Sequence, residues 1–260
     1  MRTFFRMTGR LEHCLRILPV LLICFACGKD GSQTKNEPYR AIATGGEWKL
    51  LFDGKTTAGW RGINQKTFPA DGWKIEDGNL IANAAEDKKS GKGGDIITTE
   101  EYSDFVLEWE WKLLTKGGNS GIKYFVKENL PGNEKYGPGL EYQILDDDNH
   151  PWMLEGKMQP GDFHTMASLY ELYPAENRST RPLGEWNHSR ISAQGRMVEH
   201  WLNNIKVLEY ERGSVDFRKQ VAKSKFAEYE NFGEATEGHI LLQDHGSKIT
   251  FRNIRIKEPD

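Results

Sequence analysis

The sequence has no cysteine in the part of the chain that is expected to fold. Its three cysteines, Cys14, Cys24 and Cys27, all lie within the first 27 residues. Disulfide bonds are therefore excluded from the rest of the chain. A domain without disulfide bonds must be stabilised by its hydrophobic core instead.

Several large enzyme classes are excluded because their motifs are missing. The sequence contains no glycine-rich phosphate loop, no G-x-S-x-G serine elbow and no HExxH zinc motif. A strongly basic composition is missing too: the formal charge is −3 for the whole chain and becomes −6 once residues 1–26 are removed. Because phosphate binding needs a basic surface, we expect no nucleic-acid partner.

Residues 1–27 have the pattern of an export signal. Four arginines precede the apolar run 17–23, which is far shorter than the roughly 20 residues of a membrane-spanning helix. Ala26, Cys27 and Gly28 resemble a bacterial lipoprotein processing site, although Cys24 stands where leucine is usual. We therefore expect an exported lipoprotein of the cell envelope, in the periplasm or at the outer membrane. The alternative is an ordinary secretory signal with an incidental cysteine.

The remaining chain predicts a tether followed by one β-domain. Residues 28–45 are small and polar and cannot bury enough surface to fold, whereas residues 46–260 show short runs of alternating polarity closed by turn residues. This pattern favours an all-β sandwich or jelly roll. The predicted strands are 48–52, 73–76, 79–82, 95–98, 105–113, 121–126, 140–145, 186–193, 197–202, 205–210, 239–243 and 249–257.

Three connections in this domain stand out. Residues 76–79 and 202–205 carry the turn residues of hairpins. Residues 214–225 predict one short surface helix with Ser214 as its N-cap. Residues 146–185 form a long connection rich in aromatic and apolar residues, which we expect to be ordered and to border the functional site.

Alternation sorts the strand residues by face. It places Glu141 and Gln143 opposite Tyr142 and Ile144. The same rule groups Trp186, His188, Arg190 and Ser192 on one face of their strand, and it groups His200 with Val198 and Leu202. Faces that combine carboxyl, amide, guanidinium and indole groups suit carbohydrate. The alternative is the ordinary solvated face of an antiparallel sheet.

An acidic turn at residues 146–150 offers oxygen ligands and a histidine. Asp146 and His150 are the candidate ligands of a divalent cation such as calcium. The turn lacks the spacing of an EF-hand loop, and a solvated acidic turn is the alternative.

A series of segments in the same order resembles the 3-keto-disaccharide hydrolase family over nearly the whole domain. The segments are WKLLFDGK at 48–55 with Gly59 and Trp60, WKIEDGNL at 73–80, residues 105–113, GNSGI at 118–122, LEYQILD at 140–146, GEWN at 184–187 with Arg190, HWLN at 200–203, GHILLQDHG at 238–246 and FRNIR at 251–255. The resemblance implies a concanavalin-like jelly roll of two antiparallel sheets. It also implies action on glycosides already oxidised at C3, by elimination at the glycosidic bond followed by addition of water.

This chemistry needs a base near C2, a group that stabilises the enolate oxygen, and an acid for the leaving oxygen. The candidate catalytic residues are Glu141, His200, Arg190 and His245, and the candidate substrate-binding residues are Asn119, Gln143, Trp186 and Gln243. Arg190, or a metal held with Asp146, is the candidate partner of the enolate oxygen.

Two other functions fit the same fold. One is a non-catalytic carbohydrate-binding module, which needs an aromatic platform but no titratable pair. The other is an ordinary concanavalin-like glycoside hydrolase with two flanking carboxyl groups. Glu141 and Asp146 are an odd number of residues apart and would face opposite sides of a regular strand unless a bulge intervenes.

The lipoprotein signal can be tested directly. We expect Cys27→Ser to release the protein from the membrane fraction, because the acyl chains would have no attachment point. Detergent phase separation of cell envelopes measures this partition. Retention of the variant in the detergent phase would contradict the lipid anchor.

Overall fold

The computed structural model describes residues 46–82, 94–129 and 137–259. The predicted leader (1–27) and tether (28–45) lie outside these residues. In the described part of the chain, no helix combines the length and apolar content needed to cross a membrane.

The described residues form thirteen strands, two α-helices and two short 3₁₀ helices. The strands are β1 (Lys49–Leu50), β2 (Trp60–Gly62), β3 (Trp73–Glu76), β4 (Asn79–Ala82), β5 (Ile96–Thr98), β6 (Phe105–Leu113), β7 (Asn119–Val126), β8 (Leu140–Leu145), β9 (Asn187–Gln194), β10 (Met197–Leu202), β11 (Ile205–Glu211), β12 (His239–Leu242) and β13 (Ile249–Lys257). The helices are α1 (Pro151–Leu154) and α2 (Val215–Lys223), and the 3₁₀ helices are Asp147–Asn149 and Lys225–Glu228.

The strands form two antiparallel sheets. Within the described residues the larger sheet has eight strands in the order β11-β10-β9-β6-β13-β4-β3, with β1 also paired to β13. The smaller sheet has five strands in the order β2-β5-β12-β7-β8. The predicted all-β, concanavalin-like jelly-roll sandwich of two antiparallel sheets is therefore confirmed. Strand β2 and a second short helix, α1, which lies in the long connection, were not predicted.

The core lies between the two sheets, as alternation requires. Trp109 and Trp111 of β6 and Phe251 of β13 are buried on one side, and Tyr142 and Ile144 of β8 on the other. Trp109 and Tyr142 meet edge to face across this layer, with ring centroids 5.1 Å apart. A large aromatic core thus replaces the cross-links that the absence of cysteine rules out.

Irregular residues explain where alternation fails. In β13 the register shifts between Arg252 and Arg255, and Asn253 has a φ of 51°. This bulge places both Phe251 and Ile254 in the core although they are an odd number of residues apart. Sequence alternation alone therefore left the faces of this strand ambiguous.

The local predictions for turns and the helix are confirmed. Asp77 and Gly78 join β3 to β4, and Asn203 and Asn204 join β10 to β11; all four have positive φ, as a two-residue hairpin turn of this type requires. At the start of α2 the Ser214 hydroxyl accepts a hydrogen bond from the Phe217 backbone N–H at 3.0 Å.

The long connection 146–185 is ordered and pairs with β8 at the edge of the smaller sheet. The Gln143 N–H donates to the Ser168 carbonyl at 3.1 Å, and the Ala167 N–H donates to the Gln143 carbonyl at 2.8 Å. The Tyr170 N–H donates to the Glu141 carbonyl at 3.1 Å. The connection thus satisfies the backbone of β8 and brings Tyr170 beside Glu141.

His200 lies fully buried between the sheets, in a fixed tautomer. Its Nδ1 is 2.8 Å from the Ala167 carbonyl oxygen, which can only accept, so Nδ1 carries the hydrogen. Nε2 must then accept from the Tyr124 hydroxyl at 2.8 Å. Burial lowers the pKa of His200 to about 4, because a charged imidazolium would be poorly solvated there.

This buried histidine predicts that the protein loses stability in mild acid. Unfolded His200 titrates near 6.5 and folded His200 near 4, so the stabilisation is present above pH 6.5 and is lost as the pH falls towards 4. The loss should amount to about 3 kcal/mol of folding free energy. Urea unfolding of the wild type and of His200→Gln between pH 8 and pH 4 measures it. The variant should show a flatter dependence on pH, and equal slopes would contradict the assignment.

Candidate functional site

A cavity of about 550 Å³ lies on the outer face of the smaller sheet. Its floor comes from β7, β8 and residues 243–245, which follow β12. One wall comes from the connection at Tyr170, and another from the segment 225–229 that follows α2. The prediction that the long connection borders the site thus agrees with the position of Tyr170.

Strand register brings three sequence segments together on the cavity floor. Gln143 lies opposite Gly121 in the pairing of β7 and β8, and Glu141 lies opposite Lys123. The N–H of Gln243, the residue after β12, donates to the Gly121 carbonyl at 3.0 Å. The segments GNSGI, LEYQILD and GHILLQDHG, which are far apart in the sequence, therefore meet in one place.

Gly121 leaves room on the cavity floor for the side chains of Glu141 and Gln243. A Cβ atom at this position would lie 2.7 Å from Oε1 of Gln243 and 2.9 Å from Oε1 of Glu141. Both side chains therefore lean over the glycine from the two neighbouring strands. The absence of a side chain at residue 121 lets a carboxyl and an amide approach the same point.

The carboxyl groups of the cavity are poorly solvated. Burial raises the pKa of Glu141, and the positive charges of Lys123 and Lys225 oppose this effect. Burial also raises the pKa of Asp95, again opposed by Lys123. A carboxylate whose pKa is raised is a stronger base than one in water, which suits proton abstraction.

Three amide oxygens of the cavity have no donor within the described protein. They are Oδ1 of Asn119, Oε1 of Gln143 and Oε1 of Gln243, all buried. The Gln143 amide is oriented by its Nε2, which donates to the His164 carbonyl at 3.2 Å. Buried acceptors without donors are rare in proteins, and a ligand with several hydroxyl groups would satisfy them.

The walls of the cavity add aromatic rings and a cation. Tyr170, Phe226 and Tyr229 line it together with Lys225 and His245. Lys225 Nζ lies 4.2 Å from the ring centroid of Tyr170 and donates to its hydroxyl at 3.1 Å. Phe226 is held by Phe232, whose ring stacks on it at 4.0 Å. Rings of this kind can cover the C–H faces of a sugar.

The structure therefore brings together, in this cavity, half of the ten candidate site residues that were predicted from the sequence. Glu141, Gln143, Asn119, Gln243 and His245 all line the cavity. Sequence reasoning missed Lys123, Asp95, Lys225, Phe226 and Tyr229, whereas Tyr170 belongs to the connection that was expected to border the site. Lys123 was detectable, because it is two residues from Gly121 and so shares its face of β7. The others required knowledge of which elements pack against this sheet.

His200, expected from the sequence to take part in proton transfer, does not line this cavity. Its side chain is in the core between the two sheets, hydrogen-bonded to Tyr124 and Ala167. The physical reason was visible in its strand, since it shares a face with the apolar residues Val198 and Leu202.

Arg190 and Trp186 also lie away from the cavity, on the outer face of the larger sheet. Arg190 Nε donates to Glu108 at 2.7 Å, and the Arg252 guanidinium lies 3.9 Å from the Trp186 ring centroid. Burial alone would raise the pKa of Glu108. Hydrogen bonds from His188 and Arg255 and the positive charge of Arg190 lower this pKa to about 2. Alternation grouped these residues correctly, but it could not tell which sheet they belong to.

Asp146 and His150 lie in the loop after β8. Asp146 accepts the backbone N–H of Gly117 at 2.8 Å and the side-chain amide of Asn149 at 3.0 Å, while His150 Nδ1 accepts from the Trp152 N–H at 3.4 Å. Within residues 46–82, 94–129 and 137–259, no group of three or more His, Cys, Asp or Glu is arranged to hold a metal ion. A calcium site here stays a prediction.

Comparison with known proteins gives consistent results. Residues 47–257 match the family described as 3-keto-alpha-glucoside-1,2-lyase-like domain. A 3-keto-disaccharide hydrolase from Bacteroides thetaiotaomicron is 38% identical over 230 residues, which are 81% of this chain and 78% of that protein.

Solved structures are similar as well. A Parabacteroides distasonis protein, provisionally described as a glycosyl hydrolase, aligns with a TM-score of 0.72 and 36% identity over 83% of this chain and 94% of that one. A second such protein from the same organism aligns with a TM-score of 0.60 and 28% identity over 82% of this chain and 99% of that one.

Gly121 offers a test of the cavity geometry. We expect Gly121→Ala to fold, because the atoms it would meet first are the ends of two flexible side chains. The added methyl group should displace the side chains of Glu141 and Gln243 and thereby reduce turnover of a carbohydrate substrate by up to about 10²-fold. Steady-state kinetics and thermal melting on one preparation measure both effects. A variant with unchanged turnover would place the reaction elsewhere.

Proposed function

Because the chain belongs to the family of 3-keto-alpha-glucoside-1,2-lyase-like domains, we propose that it is a carbohydrate hydrolase that acts on glycosides oxidised at C3 of the sugar. The family and the names of its relatives support a glycosidase-type enzyme. The 3-keto substrate is the finer part of the proposal. The predicted leader would place this reaction in the cell envelope.

The chemistry of such a substrate explains why one strong base is needed. A ketone at C3 acidifies the proton on C2, so a base can remove it and form an enolate. Collapse of the enolate expels the substituent at C1 and leaves a double bond between C1 and C2. Water then adds at C1, and C2 regains a proton. Ordinary glycoside hydrolysis instead displaces the substituent at C1 directly, with a second carboxylate that attacks C1 or activates a water molecule.

Glu141 is the base in this proposal, and its position carries the argument. Its side chain is buried, lines the cavity and leans over Gly121 beside unsatisfied amide oxygens. Burial raises the pKa of Glu141, which makes its carboxylate a better proton acceptor. A binding module needs an aromatic platform but does not require a titratable group at this point.

Lys123 is the partner of the enolate oxygen. It lies opposite Glu141 in the register of β7 and β8, and its charge acts on the carboxyl groups of both Glu141 and Asp95. An ammonium group in a poorly solvated cavity stabilises an oxyanion more strongly than it would in water. Lys123 thereby takes the role that the sequence had suggested for Arg190.

The three amides orient the sugar. Oxygens of Asn119, Gln143 and Gln243 accept hydrogen bonds from hydroxyl groups, and the aromatic wall covers apolar ring faces. Three buried acceptors without donors in the described part of the chain favour a ligand that donates several hydrogen bonds. A neutral sugar fits this combination.

Asp95 supports one alternative. It lies on the far side of the cavity floor from Glu141, since β12 and β7 run between β5 and β8. Two carboxyl groups facing one cavity are the requirement of ordinary glycoside hydrolysis. Incubation with a glucoside and with its 3-keto counterpart distinguishes the two functions. Cleavage of the unoxidised glucoside at a comparable rate would favour this alternative, and binding of either sugar without turnover would indicate a binding module.

Replacement of Glu141 tests the proposed base. Glu141→Gln keeps the shape and the hydrogen bonds but cannot take a proton, so kcat on a 3-keto glucoside should fall by about 10²–10⁴-fold. The Kd for the substrate should change little. Stopped assays and calorimetric titration measure the two quantities.

Glu110→Gln is the matched control, because Glu110 pairs with Arg252 on the outer face of the larger sheet. It should leave turnover unchanged. If Glu141→Gln weakens binding but keeps its turnover, Glu141 positions the substrate and is not the base.

A further inference from the structure

The proposed elimination requires a second proton transfer, to the oxygen that leaves C1. Expelling an alkoxide without protonation is slow, because alkoxides are strongly basic. The acid must face the same substrate as Glu141. This inference rests on the proposed function and names the group that supplies the proton.

Tyr170 is held beside Glu141 by the backbone. Its N–H donates to the Glu141 carbonyl at 3.1 Å, and the preceding residue, Leu169, forms a β-bridge with Tyr142. Its side chain lines the same cavity as Glu141, and the two groups interact electrostatically. The phenol and the carboxyl group therefore come from neighbouring backbone segments and line the same cavity.

Lys225 fixes the direction of the phenol. Its Nζ donates to the Tyr170 hydroxyl at 3.1 Å, and an ammonium group can only donate. The phenol oxygen must therefore accept this bond, and its own hydrogen is available to another acceptor. The pKa of Tyr170 is raised, mainly because of burial, and the hydrogen bond and charge of Lys225 offset only part of this rise by stabilising the phenolate.

Lys225 is held in turn by the long connection. Glu171 Oε1 lies 3.5 Å from Lys225 Nζ and 3.1 Å from His164 Nε2. His164 Nδ1 lies 2.7 Å from Asp162 Oδ1. These groups link the segment after α2 to the connection at the cavity wall. Glu171 and His164 act through Lys225 and are positioning residues.

We propose that Tyr170, held against Lys225, is the acid that protonates the leaving oxygen. Glu141 removes the C2 proton, the C3 carbonyl re-forms from the enolate, the C1–C2 double bond forms, and the C1–O bond breaks. The departing oxygen takes the phenol proton. In the hydration step water adds to C1, the phenolate takes a proton from that water, and Glu141 returns its proton to C2. Both groups end in their starting states.

The basicity of the leaving group provides the test. Removing an acid slows the departure of a basic alkoxide but has little effect on a weakly basic nitrophenolate. We would compare Tyr170→Phe with the wild type on the methyl and the 4-nitrophenyl 3-keto-glucosides. Tyr229→Phe is the matched control, since it removes a hydroxyl from the same cavity.

For Tyr170→Phe we expect kcat to fall by about 10²–10⁴-fold on the methyl 3-keto-glucoside and by less than about fivefold on the 4-nitrophenyl 3-keto-glucoside. Tyr229→Phe should show no such difference between the two substrates. Equal losses of Tyr170→Phe on both substrates, or no loss on either, would overturn the role of Tyr170.

Exchange of the C2 hydrogen in D₂O separates this inference from the proposed function. Tyr170→Phe should still catalyse exchange of the C2 hydrogen of the methyl 3-keto-glucoside, because its base is intact. Glu141→Gln should not catalyse this exchange. If the wild type neither exchanges C2 nor cleaves either 3-keto substrate, the proposed function itself fails. If the wild type is active and Tyr170→Phe loses the exchange as well, Tyr170 supports the base step and is not the acid.

Discussion

The arrangement of the site depends on the backbone pairing of β8 with the connection that follows it. β8 is the last strand of the smaller sheet, and unpaired edge strands are unstable and prone to aggregate. Hydrogen bonds from Gln143, Ala167 and Tyr170 close this edge. The same bonds place Tyr170 next to Glu141, so one structural requirement also positions the two groups to which we assign proton transfer.

The two faces of β8 have opposite physical roles. Tyr142 and Ile144 pack into an aromatic core that stabilises a domain without disulfides. Glu141 and Gln143 face the cavity, where the carboxyl group is poorly solvated and the amide oxygen lacks a donor. The strand cannot slip by one residue, because that would exchange these two sets between core and cavity. Packing of the core therefore fixes the geometry of the site.

Ionisable groups in this protein are perturbed in three different ways. Glu108 is buried among cations on the larger sheet, and its pKa is lowered to about 2. His200 is buried among neutral groups, and its pKa falls to about 4. The pKa of Glu141 is raised, because burial outweighs the nearby lysines. Of these three, only Glu141 lies in the cavity with access to a ligand, so accessibility separates the proposed base from the structural groups.

The sequence by itself determined the sandwich class, the two hairpin turns, the helix after Ser214 and the face on which Glu141 and Gln143 lie. These features depend on short-range rules, namely alternation, turn residues and capping, which act within a few residues. Only the tertiary structure decided which polar face forms the cavity, because alternation groups Arg190 with Trp186 but does not assign them to a sheet. It also brought Lys123, Tyr170 and Lys225 to Glu141 through strand register and through packing of distant segments. A single sequence does not encode those long-range pairings in any local pattern.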